Sequence, residues 1–145
     1  MIEKGKISQE PFIGILKYLE EAESANLVDW NAMNIASVGQ MNQPSSRMVL
    51  LKKISDDGLV FYTNYNSRKG KEIELNPKVA VNFWWRELKK QIRVEGFIKK
   101  ASEKDSDDYF DSRPLKSRVS AIISNQSSKI SSYEDLTNQI DNYLE

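Results

Sequence analysis

Four cations flank one turn of this chain: Arg47 and Lys52 in the run SSRMVLLKK, and Arg68 and Lys69 in NSRKGKE. Between them lie Asp57-Gly58, a dipeptide suited to a tight hairpin, and the returning run LVFYT. Such a hairpin can gather separated charges around one small anionic ligand. Ser67 stands before Arg68 and Lys69 as a helix N-cap, so unpaired N–H donors and the helix dipole add to their charge. Cations at a helix start are electrostatically misplaced unless an anion compensates them, which points to a phosphate cradle. The competing reading is two solvated side chains on a surface helix. Arg47 and Lys52 fall on opposite faces of a strictly alternating strand, so both reach one ligand only through a bulge or twist. Otherwise they are strand-end cations whose stems lie along apolar surface. Tyr62 and Thr63 bring hydroxyls to the same end of the partner strand.

A second polar group follows downstream. Tyr109, Arg113 and Ser117 are spaced four apart, and a continuous helix would set phenol, guanidinium and hydroxyl on one face for another phosphate. Pro114 interrupts that continuity. Gln91, Gln126 and Ser127 carry amide and hydroxyl groups suited to the edge of a heteroaromatic ring, and equally to an ordinary surface.

Composition removes most other chemistry. With no His and no Cys there is no Ser-His-Asp triad, thiolate nucleophile, Cys/His zinc site or imidazole base. Difficult catalysis then calls for a bound cofactor, and three Trp, six Tyr and five Phe suit a flat aromatic one as well as a packed core. Basic and acidic residues balance at 21 each, so any anion site is local, and bulk attraction to nucleic acid or membrane is not expected. The N-terminal residues lack an apolar signal core, no run approaches the roughly 18 apolar residues of a membrane span, and no disulfide framework is possible. A cytoplasmic protein without a metal site is the expectation, and 145 residues suggest one domain over 1–145.

The elements that must position these residues follow from periodicity. Phe12, Ile15, Leu16 and Leu19 predict an amphipathic helix ending near Ser24 to Asn26. Residues 32–38 predict a strand. Residues 46–54 predict another, buried on both faces because MVLL lacks alternation. A short helix from Ser67 ends at Asn76-Pro77, and strands follow over 78–85 and 90–98. Ser102 with Asp105, and Ser132 with Asp135, mark helix starts, with another helix over Leu115–Ile123. Strands joined by short turns, with helices at the margins, predict a mainly β, small antiparallel barrel and argue against a doubly wound α/β fold.

At these residues the chain resembles the pyridoxine/pyridoxamine 5′-phosphate oxidase family. SSRMVLLK, VFYTNYNSRKGKEIELNP, FWWRELKKQIRVEG, YFDSRP and SNQSS occur in the family's order and spacing, over roughly residues 27–131. The resemblance implies an antiparallel split β-barrel of the FMN-binding type, working as a homodimer with flavin held where the subunits meet. The implied FMN contacts are Arg47, Met48, Val49, Leu50, Leu51, Lys52, Tyr62, Thr63, Arg68, Lys69, Gln91, Gln126 and Ser127. The implied contacts to the substrate phosphate are Lys52, Tyr109, Arg113 and Ser117. The implied reaction is hydride transfer from the substrate's C4′ carbon to flavin N5. Oxygen then reoxidises the flavin, with pyridoxal 5′-phosphate and hydrogen peroxide as products. The family's further Trp- and Arg-containing strand pair and its terminal Arg-Leu-His-Asp-Arg-like motif have no counterpart here, and its N-terminal gating segment is shortened. Two expectations result: an FMN-dependent oxidase of reduced turnover, or a non-catalytic protein that binds FMN or a B6 phosphate. A nucleic-acid-binding barrel is a third, disfavoured by the zero net charge.

Overall fold

The computed structural model describes residues 2–124 and 126–144, and for Glu103 the backbone alone. The chain runs β1 (Glu3–Lys4), α1 (Phe12–Ser24), β2 (Ala32–Val38), a 3-10 turn (Gln40–Asn42), β3 (Pro44–Leu50), β4 (Lys53–Ser55), β5 (Gly58–Val60) and α2 (Arg68–Leu75). It continues with β6 (Lys78–Trp85), β7 (Lys90–Phe97), α3 (Glu103–Ser112), α4 (Leu115–Ile123) and α5 (Tyr133–Leu144).

Alternation builds the larger sheet. In β2 the residues Met33, Ile35 and Ser37 are buried, as are Val81, Phe83 and Trp85 in β6, while their neighbours face outward. The sheet order is β3-β2-β6-β7, antiparallel throughout. A smaller sheet has the order β1-β4-β5, with β1 parallel to β4 and β4 antiparallel to β5. The chain passes between the sheets at two consecutive residues. Leu51 N–H donates to Asn31 O at 2.9 Å on one side, and Lys52 N–H donates to Val60 O at 2.8 Å on the other. The result is a split barrel, mainly β with flanking helices, and not a closed cylinder.

Ile15, Leu19 and Ala22 of α1 cover the inner face, against Leu51, Ile54 and Phe83. Full burial of a side chain such as Leu19 contributes about 1.5–3 kcal/mol. Trp85 lies beside Phe83 with ring centroids 5.5 Å apart, and its indole N–H reaches Trp30 O at 2.7 Å. The Asp56 carboxylate ties the chain start to the β4–β5 turn, accepting from Ser8 N–H (3.0 Å), Ser8 Oγ (2.7 Å) and Gln9 N–H (3.0 Å).

Two expectations are corrected. The run 46–54 is not one strand: it breaks at Leu51-Lys52, because that is where the backbone changes sheets. Nor is it buried on both faces, since Met48 and Leu50 are 61% and 41% exposed on the sheet's outer side. The partner strand is correspondingly short and ends at Val60, leaving Phe61, Tyr62 and Thr63 outside the ladder. The capping expectations appear as drawn: Ser67, Ser102 and Ser132 accept from the N–H groups of Gly70, Asp105 and Asp135. Among the described residues no helix is long and apolar enough to cross a membrane.

Candidate functional site

The start of α2 is held by a close approach that only glycine permits. A Cβ at Gly70 would stand 2.2 Å from Tyr65 O, so the 64–66 loop folds directly over the helix's first turn. This fixes Ser67, Arg68 and Lys69 at the start of a helix whose Glu72 meets both β2 and β3. Lys69 is 8% exposed. Its ammonium donates to Gln126 Oε1 at 2.8 Å and Ser67 Oγ at 3.3 Å, and Thr63 Oγ1 lies 3.4 Å from the same Gln126 oxygen.

Arg47 reaches this cluster from the inner face of β3. One terminal nitrogen donates to Ser37 Oγ at 2.6 Å and the Ile35 carbonyl at 3.3 Å. The other donates to Ser45 Oγ at 2.5 Å and Glu72 Oε2 at 2.9 Å. Arg68 Nε donates to Glu72 Oε1 at 2.8 Å. Burial pushes the Glu72 carboxyl up, but donors from Ser37, Ser45, Arg68 and Arg47 outweigh it and hold the group at about 2. Lys69 is pushed the other way, below the usual lysine value, first by burial and then by the charge of Arg47. Among the described residues no carboxylate pairs with Lys69. Three cations against one carboxylate leave two positive charges, the complement of a phosphate monoester, which carries about −1.5 to −2 at neutral pH.

A second group lines an open cavity of about 810 Å³. Lys52, Tyr62, Tyr109, Arg113 and Ser117 all reach it. The rings of Tyr62 and Tyr109 stack at 3.9 Å and 7°, with Lys52 Nζ 5.7 Å and Arg113 Cζ 6.0 Å from the Tyr109 ring centre. Tyr109, Arg113 and Ser117 do not share one helix. α3 ends at Ser112, Arg113 is extended, and Pro114 precedes α4, so a corner brings the three together. At the cavity's other end Lys53 pairs with Glu3 at 2.8 Å and Asp105 at 3.5 Å, tying α3 to the smaller sheet.

The remaining candidates sit elsewhere. Met48, Leu50 and Gln91 lie on the outer face of the larger sheet, where Gln91 donates to Asn82 Oδ1 at 2.8 Å beside an exposed Trp84. Val49 packs against the core. The side chain of Leu51 is fully buried, and its N–H and carbonyl already bond to Asn31. Ser127 follows Gln126 in an exposed turn with φ 69°. The four cations therefore do not surround one point: Arg47, Arg68 and Lys69 meet, while Lys52 stands with Tyr109 and Arg113. Sequence reasoning missed Glu72, Ser37 and Ser45. The one linear hint was the Arg68–Glu72 spacing of four on a helix.

A family model described as pyridoxamine 5′-phosphate oxidase matches residues 19–140. The chain belongs to the pyridoxamine 5′-phosphate oxidase family. It is 48% identical over 138 residues to a pyridoxine/pyridoxamine 5′-phosphate oxidase of Nostoc sp. (strain PCC 7120), covering 95% of this chain and 64% of that relative. A relative of the same printed name, numbered 2, from Hydrogenovibrio crunogenus is 44% identical over 140 residues, covering 97% of this chain and 66% of its own length. The chain thus spans about 64% of the length of the Nostoc oxidase it matches. Among solved structures, PhzG from Burkholderia lata, in complex with tetrahydrophenazine-1-carboxylic acid, superposes with a TM-score of 0.89 at 26% identity. That superposition covers 94% of this chain and 68% of PhzG. A pyridoxamine 5′-phosphate oxidase-related, FMN-binding protein from Nostoc punctiforme shares the fold, with a TM-score of 0.74 at 16% identity over 93% of this chain and 73% of its own.

Proposed function

We propose that this member of the pyridoxamine 5′-phosphate oxidase family binds FMN and oxidises pyridoxamine or pyridoxine 5′-phosphate to pyridoxal 5′-phosphate, with oxygen as acceptor and hydrogen peroxide as by-product. The observation that carries the reading is the division of the cations into two groups, each suited to one phosphate. The first fits the flavin phosphate: a buried ammonium with no carboxylate partner among the described residues, the guanidinium of Arg68 with the charge of Arg47 behind it, a helix N-terminus and the Thr63 hydroxyl. The second fits the phosphate of the substrate, with Lys52 and Arg113 as cations and Tyr109 and Ser117 as hydroxyl donors around one cavity.

FMN, when bound, supplies the two-electron acceptor that this histidine- and cysteine-free chain lacks. The chain's own residues bind and orient. Arg68 and Lys69 neutralise the flavin phosphate, and Gln126, with Ser127 beside it, closes the cradle from the turn after α4. Arg113 and Lys52 fix the other phosphate so that the substrate's reacting carbon is presented in one pose, the kind of positioning that carries much of a rate enhancement. The outer face of the larger sheet, with Met48, Leu50 and Trp84 61%, 41% and 59% exposed, is where a second copy would pack. Such a homodimer would carry Gln91 to the partner's ligand.

The test is direct. Protein purified with FMN is expected to be yellow and, under air with pyridoxamine phosphate, to release pyridoxal phosphate and peroxide. A colourless protein that does not quench added FMN would overturn the cofactor assignment. Bound flavin that substrate cannot bleach anaerobically would instead make the chain a flavin-binding protein without turnover.

A further inference from the structure

Glu72 has no assigned role, yet the cradle is built around it. Its side chain is 9% exposed and receives Ser37 Oγ (2.6 Å), Ser45 Oγ (2.5 Å), Arg47 (2.9 Å) and Arg68 (2.8 Å). The backbone makes room for it: a Cβ at Gly39 would stand 3.1 Å from Glu72 Cγ and 3.3 Å from Oε1. The two serines do more than fill space, because each donates to the carboxylate and accepts from Arg47, closing a ring of hydrogen bonds.

The bond to Arg68 is the informative one. The Arg68 side chain is 63% exposed, and an exposed arginine ordinarily samples many rotamers. Glu72 engages only its Nε. The two terminal nitrogens have no partner among the described residues and stay available as a fork for a phosphate. Arg47 is treated differently, since both of its terminal nitrogens are consumed by Ser37, Ser45, Ile35 O and Glu72. We infer that Glu72 is a positioning residue for phosphate recognition: it spends one guanidinium to pin a second by its Nε, presenting the free fork of Arg68 beside Lys69. The ligand class is a dianionic phosphate monoester, and the inference rests on the FMN reading above. Being paired on both oxygens, the carboxylate adds little net repulsion to the incoming dianion, while its removal would release Arg68 to solvent.

Flavin fluorescence quenching by the 145-residue chain, titrated separately with FMN and riboflavin, tests this. Glu72→Gln keeps the size of the side chain, but its amide offers an acceptor to only one of the two guanidiniums. FMN affinity is expected to fall on the order of tenfold, with riboflavin affinity unchanged. Ser45→Ala, which removes one donor from the ring, is expected to shift the FMN-to-riboflavin ratio in the same direction by less. It decides the matter if Glu72→Gln does not fold. Tighter FMN binding in Glu72→Gln would mean that the carboxylate merely opposes the phosphate. Equal losses for both flavins would make Glu72 a structural strut. A wild-type chain that holds FMN no better than riboflavin would instead sink the proposed function, so the two failures are distinguishable.

Discussion

Replacing Lys69 by methionine should move folding stability and flavin affinity in opposite directions. The ammonium is 8% exposed and has for partners only a side-chain amide oxygen at 2.8 Å and a hydroxyl at 3.3 Å. Burial and the neighbouring Arg47 both push its pKa down, so in the absence of ligand the charge is held at a cost. Methionine is close in length and removes that cost, so the ligand-free melting temperature is expected to hold or rise. Binding of FMN loses one charge-assisted hydrogen bond, about 1.5–3 kcal/mol, or roughly ten- to 150-fold in Kd. Riboflavin, lacking the phosphate, should bind Lys69→Met and wild type alike. The pH dependence has a definite sign. Between the lowered folded pKa of Lys69 and 10.5 the unfolded chain binds more protons, so ligand-free stability rises with pH in that window while FMN affinity falls. Both trends should vanish in Lys69→Met. The assays are differential scanning fluorimetry without flavin and fluorescence quenching with each flavin. A variant that melts lower and binds FMN as tightly as wild type would refute the reasoning.

Arg113→Ala should raise KM for pyridoxamine phosphate about tenfold or more through loss of a charged phosphate contact. The flavin absorbance of that variant should be unchanged, and loss of flavin would contradict two separate sites. Gly70→Ala sets a methyl 2.2 Å from Tyr65 O and should destabilise by about 1–3 kcal/mol, read as a lower midpoint in urea. Glu72, held at about 2 from an ordinary 4.5, contributes stability that is present above 4.5 and lost as pH falls through 2. Acid titration of Glu72→Gln should show that limb flattened, and an unchanged acid transition would remove Glu72 from the account. Trp84→Arg, on the outer face, should shift the chain toward monomer in light scattering and weaken FMN retention. A variant that scatters light as wild type does would argue against packing through that face.

Most elements were legible because their signals are local. Ser67, Ser102 and Ser132 cap helices through hydrogen bonds to residues three positions on, so the sequence alone displays them. The strand over 32–38 and the alternation in 90–97 are likewise visible without a third dimension. The break at Leu51-Lys52 was not. Both residues continue an apolar and basic run, and what divides them is the carbonyl each N–H finds, on Asn31 or on Val60. Glu72 was invisible for the same reason. Its hydroxyl donors come from Ser37 and Ser45, which meet it only after β2 and β3 pair and α2 lies across them. The convergence of Tyr109, Arg113 and Ser117 was read from a spacing of four, yet it arises from a corner at Pro114 that the spacing does not encode.

The break at Leu51-Lys52 also explains how one short segment contributes to two separate groups of cations in a chain with no net charge. A continuous strand would have directed positions 47 and 52 to opposite faces of one sheet, with one of them facing solvent or a partner. Handing the backbone from β3 to β4 keeps Arg47 under α2 and moves Lys52 into the other sheet, beside Tyr62 and Tyr109. Met48 and Leu50 stay outward on β3, because alternation there is uninterrupted up to the break. Two consequences of one backbone event are therefore coupled: Arg47 stays with α2, and Lys52 joins the group around Tyr109. An insertion between Leu50 and Lys52 should disturb both groups at once, whereas substitutions within either group should act on that group alone.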